Sequence, residues 1–214
     1  HALKKVLTEE SLVSFETGVR YQMYHALFLI LITHTAFLSQ KDKTILLPIE
    51  WKYTEFYANT DKSKEDSSKD SPDYKKGDEA KGKIRLSRYT DLLNKSEQLK
   101  HLIKYRESVY FFEPFYQLMR QTLWAEQMIS NKDSERIKTD DYIHVHVIPE
   151  QNTDLLSKKY PVSGKNMETT WRDCLCAQEK YQIISPKELL VDIDLDNEES
   201  KLLFDYLKTR YWDE

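Results

Sequence analysis

The nine residues ILLPIEWKY, Ile45 to Tyr53, constrain the fold more than any other stretch of the chain. In an extended backbone successive side chains point to opposite faces. Ile45, Leu47, Ile49, Trp51 and Tyr53 then share one wholly apolar face, while Leu46, Pro48, Glu50, Lys52 and Thr54 share the other. Such a strand needs a buried layer behind it, and it carries Glu50 and Lys52 side by side in front. That pairing suits a metal ion beside a reacting phosphate, and it equally suits an ordinary ion pair on a sheet face. The acid–x–Lys pattern recurs at Asp73/Lys75, Glu79/Lys81 and Glu199/Lys201. Only Glu50/Lys52 closes an apolar strand.

The strand has varied neighbours. The segment from Ala58 to Lys83 balances acids against lysines with almost nothing to bury, and reads as a disordered surface loop. Beyond it, RLSRYTDLLNKSEQLKHLI reads as a helix broken near Asn94, and FYQLMRQTLWAEQMI as a second, with Pro114 at its start. DYIHVHVIP alternates and is β-branched, a strand closed by Pro149. YQII gives another strand, after which Ser185, Pro186 and Glu188 form a capping box. A helix from Asp196 closes the pattern. Helices mixed with a few strands predict an α/β or α+β domain.

Residues 1–44 read as a helical segment. Thr8 is its N-cap, and Leu12, Phe15, Val19 and Met23 recur at helical spacing. The apolar run YHALFLILITHTAFL, Tyr24 to Leu38, would rise about 22 Å as a helix, against roughly 30 Å for a hydrocarbon core. A buried core helix and a short membrane helix both fit it.

Composition narrows the chemistry. The net charge of −4 shows no overall basic excess, so any contact with nucleic acid must be local. Four glycines, with no GxGxxG or Walker pattern, leave no evident small-molecule cofactor site. Two cysteines, both in DCLC, suggest a reducing compartment and a cytoplasmic main domain. His144 and His146 share a strand face and form, with Cys174 and Cys176, four potential zinc ligands, although neither pair has finger-like spacing. DIDLDNEES places Asp192, Asp194 and Asp196 as a calcium loop would, but Asn197 stands where glycine is required.

From Leu46 to Glu214, and most specifically in IEWKYTE and EPFYQLMRQ, the chain resembles a bacterial restriction-endonuclease-like family of the PD-(D/E)xK superfamily. The resemblance implies a core of mixed sheet flanked by helices and a metal-dependent nuclease acting on DNA. It makes Glu50 and Lys52 catalytic, with Glu50 a Mg²⁺ ligand. It also implies that Tyr116, Gln117, Arg120 and Gln121 flank the site. The superfamily takes a further aspartate from the preceding strand, and here only Asp42 lies within reach. As part of one strand with Glu50, Asp42 would stand more than about 20 Å away. A nuclease that is truncated and catalytically impaired is therefore expected. Upstream, HALKK and FETGVRYQMYHAL resemble part of a small bacterial inner-membrane protein family of unknown function. Two partial resemblances meeting near Ser39–Thr44 predict a gene fusion or a join. The competing readings are a membrane-associated protein and a non-catalytic interaction domain on a nuclease scaffold.

Overall fold

A computed structural model describes residues 38–40, 43–52, 57, 60–64, 81–190 and 198–211. The helix expected through residue 37, Asp42, the bulk of the charged segment at 65–80, and the acidic stretch at 192–196 lie outside these residues. No helix among the described residues is long and apolar enough to cross a membrane.

The stretch expected as one strand is two, β2 (Lys43–Leu46) and β3 (Ile49–Trp51), with β1 (Leu38–Gln40) pairing antiparallel to β2. The helical reading to residue 44 therefore gives way to extended backbone at 38–40 and 43–44. The cause of the break is Pro48, which has no N–H to give to a ladder. The ladder nevertheless runs on in one register. β2 pairs in parallel with β4 (Asp141–Tyr142), with Ile45 opposite Asp141. β3 pairs in parallel with β5 (His144–Val147), with Ile49 opposite Val145. Both offsets are 96 residues (141 − 45 and 145 − 49), and the Pro48 carbonyl still accepts from the Val145 N–H. β6 (Tyr181–Ile184) pairs in parallel on the far side of β5, so the strands form two three-stranded sheets, β1-β2-β4 and β3-β5-β6.

Every residue of β5 is buried, as befits a central parallel strand covered on both faces. Ile49, Val145 and Val147 pack behind the sheet with Trp51 and with Leu189 of the short helix α5 (Pro186–Leu190). The capping box exists there: the Ser185 N–H donates to Glu188, and the Glu188 N–H donates to the Ser185 hydroxyl. The opposite face looks into the main core. That core is built from α1 (Lys81–Lys95), α2 (Phe115–Ser130), α3 (Thr153–Leu156) and α4 (Met167–Cys174). Phe115, Leu118, Met119 and Leu123 fill it from α2, at the helical spacing expected. The terminal helix α6 runs from Glu198 to Tyr211.

Part of the charged segment is packed. The Lys62 N–H donates to the Phe111 carbonyl, Ser63 is buried, and its hydroxyl accepts from the Glu107 N–H. Disorder throughout 58–83 therefore fails at Asp61–Lys64 and at the first turn of α1. Gly82 shows why the two ends meet. A Cβ on it would stand 2.3 Å from the Ser63 carbonyl oxygen, a backbone atom that yields only if the loop moves. Gly82→Ala should therefore destabilise by about 1–3 kcal/mol, the cost of overpacking. That exceeds the gain of up to about 1 kcal/mol that alanine brings to a helix. A thermal melt decides between them, since a rise in Tm would mean that the loop carries no constraint.

Candidate functional site

Parallel pairing puts residues of the same register on one face. Glu50 on β3 is opposite His146 on β5, and His146 is opposite Ile183 on β6. Glu50, Lys52, His144, His146 and Tyr181 thereby converge on the face that looks toward α2. The face expected to be the open front of the strand is an interior one: Lys52 is 6%, His144 1% and His146 0% exposed.

The charges there are mutually satisfied. Lys52 Nζ lies 2.5 Å from Glu50 Oε1, and His146 Nε2 lies 2.9 Å from Glu50 Oε2. Lys52 Nζ also donates to Gln117 Oε1 at 2.8 Å and stands over the ring of Tyr57. Tyr57 is anchored in turn, because Lys158 Nζ donates to its carbonyl. Burial alone would raise the Glu50 carboxyl, but the His146 hydrogen bond and the nearby charges outweigh it and hold Glu50 well below the carboxylate range. Burial pulls Lys52 down, yet the charge of Glu50 wins and raises it. Both groups are thus ionised, a buried pair with a hydrogen-bonded shell.

The two histidines differ. His146 Nδ1 meets the Tyr181 hydroxyl at 3.1 Å, so both of its ring nitrogens are engaged. Burial lifts the Tyr181 hydroxyl well above its ordinary value and keeps it protonated. His144 packs edge-on against His146 and Tyr181, and neither of its ring nitrogens has a hydrogen-bond partner. Burial, helped by neighbouring His146, pushes its pKa down to about 3 and holds it neutral.

The residues carried over from the nuclease resemblance separate. Gln117 touches Lys52. Arg120 and Gln121 join Gln117 along a cleft of about 570 Å³ that α2 shares with Tyr89 and Leu92 of α1. Trp124, 49% exposed, stands at that cleft, and sequence reasoning had not singled it out. Tyr116 turns inward instead, packing on Phe111 and Tyr89 with Arg120 over its ring, so it is a core residue. The cysteines do not join the histidines. Cys174 is buried with Sγ on the Thr170 carbonyl, and Cys176 is exposed.

Glu50, His144 and His146 offer three ligand atoms within 4.8 Å of one another. The signal that could have revealed this set is the 96-residue register, which no local pattern encodes. Mg²⁺ is a poor match, since it takes oxygen ligands in octahedral geometry, and this set holds one carboxylate and two imidazoles.

No curated protein and no solved structure matches the chain. Residues 1–49 match a family described as a protein of unknown function, which fits the upstream resemblance. Residues 36–212 match a second family, whose first fourteen residues overlap the first at 36–49. That match covers most of the chain and contains every element from β1 to α6. The chain belongs to the family described as Restriction Endonuclease associating with ARP.

Proposed function

We propose that this chain is a restriction-endonuclease-like domain that engages DNA and is impaired in Mg²⁺-dependent cleavage. The observation that carries the reading is the Glu50–Lys52 pair at the end of β3, with Gln117 of α2 linking it to a cleft lined by Arg120 and Gln121. In a hydrolase of phosphodiesters Lys52 would be the cation that meets charge developing on phosphate oxygens. Gln117 would fix its direction. Arg120 and Trp124 supply a guanidinium and an aromatic face at the cleft, groups that hold phosphates and stack bases.

The impairment follows from the ligand count. Glu50 is the one carboxylate in the metal-capable cluster among the described residues, and both of its oxygens already accept from Lys52 and His146. A non-catalytic DNA-binding domain on the same scaffold is the second reading, favoured by the near-complete burial of Lys52 and both histidines.

Incubation with supercoiled plasmid and Mg²⁺ should give little or no nicking. Any trace should vanish in Glu50→Gln and in Lys52→Ala, while a gel shift with duplex DNA should weaken in Arg120→Ala. Robust cleavage that survives Glu50→Gln would overturn the assignment of the pair. Robust cleavage that Glu50→Gln abolishes would instead show that a second carboxylate, Asp42 the first suspect, completes a Mg²⁺ site.

A further inference from the structure

The buried cluster has one member without a role in the ion pair. An imidazole 1% exposed with two idle nitrogens is an unusual thing to keep, because each buried polar atom without a partner costs free energy. The His144 ring stands edge to face against His146, centroids 5.2 Å apart, and His146 Nε2 lies 2.9 Å from Glu50 Oε2. Three ligand atoms within 4.8 Å are close enough to be drawn onto one ion by small side-chain rotations.

We propose that Glu50, His144 and His146 form a site for a nitrogen-preferring divalent transition metal, Zn²⁺ or a surrogate such as Co²⁺, and not for Mg²⁺. Two imidazoles and one carboxylate make a borderline donor set that favours such ions and discriminates against hard ones. The division of labour at Glu50 permits it: Oε1 stays with Lys52 while Oε2 turns to the metal. His146 must then present a bare Nε2 and carry its proton on Nδ1. The Tyr181 hydroxyl, 3.1 Å away, can accept from that Nδ1–H and fix the ring. Lys52, held by Gln117, balances the charge of the shared carboxylate from the other side. The inference goes beyond the proposed nuclease reading and does not depend on it, because the site binds without DNA.

The test uses the full chain carrying Cys176→Ser, so that the exposed thiol contributes nothing. After chelator treatment, Co²⁺ titration should give one equivalent bound, with visible ligand-field bands, and Zn²⁺ should displace it. Zn²⁺ should raise Tm and an equal concentration of Mg²⁺ should not. His144→Phe keeps the ring's packing and removes both idle nitrogens, so it should fold at least as well and lose tenfold or more in Co²⁺ affinity. Glu50→Gln, checked for folding by circular dichroism, serves as the second variant and should lose affinity likewise. Absence of stoichiometric binding overturns the proposal, as does binding that both variants leave intact. Absence of a gel shift with duplex DNA, metal bound or not, leaves the metal site standing and counts only against the nuclease reading.

Discussion

Replacing Trp171 by alanine should cost about 3–5 kcal/mol, the range for truncating a fully buried large aromatic. Trp171 is 0% exposed on α4 and joins two parts of the core. Its ring lies 6.3 Å from Tyr110, edge to face, and stacks 6.5 Å from Phe115 of α2. Set against a usual total of about 5–15 kcal/mol, that loss should lower Tm by roughly 10 °C and could leave the chain unfolded at physiological temperature. One feature tempers it: the indole N–H has no acceptor, so the substitution also removes an unsatisfied donor. Trp124→Ala is the control, because its half-exposed ring stands at the cleft that α2 shares with α1, and surface changes stay within about 0.5 kcal/mol. Paired urea melts read both. A Trp124 loss as large as that of Trp171 would mean that the cleft face is covered by something, and that the core is drawn in the wrong place.

The tryptophans illustrate where local pattern ends. Periodicity marks α2 and its inward Phe115, Leu118, Met119 and Leu123, and alternation marks β3 and β5, each read as one strand with the neighbour that the structure separates from it. The Ser185/Glu188 box was legible because a cap is a three-residue affair. Each of these is fixed by neighbours in sequence. What stayed hidden depends on distance. The 96-residue register brings His146 to Glu50, and a period of two says only that each residue faces one way or the other. Burial of both sheet faces was hidden for the same reason: the cover on the Glu50 side comes from α2 and from residues near Tyr160 and Trp171, far along the chain. Pro48 is visible in the sequence, but its effect depends on the partner strand: a missing N–H interrupts a strand without ending its register.

The charged loop teaches the complementary lesson. Composition says how much a segment can bury, not whether its backbone is needed elsewhere. Asp61 accepts from the N–H and hydroxyl of Ser63, and this small turn presents Lys62 to the Phe111 carbonyl. No apolar residue is required for that docking. A polar segment is thus held by main-chain hydrogen bonds and by the closeness that only Gly82 allows.

The largest effect at the site should come from Lys52→Met. The substitution keeps length and apolar stem but deletes the cation, so among the described residues Glu50, 16% exposed, retains His146 as its partner. Breaking a buried pair from one side typically costs about 3–5 kcal/mol, because the surviving charge is stranded rather than because the pair was strong. The His146 hydrogen bond should hold the loss near the lower end, about 3 kcal/mol. Glu50→Gln strands less, since Lys52 keeps Gln117 and the face of Tyr57. The double variant Glu50→Gln/Lys52→Met strands no charge, and should lose less than the sum of the two, by about 1–3 kcal/mol. Denaturant melts in the presence of a chelator measure the cycle free of any metal linkage. If Lys52→Met costs under about 1 kcal/mol, the pair behaves as a solvated surface bridge, and water reaches the face on which Lys52 is buried. A full-sized single loss with strong coupling would mean that stability, and not only chemistry, holds Glu50 and Lys52 together, so that the pair persists even where cleavage is weak.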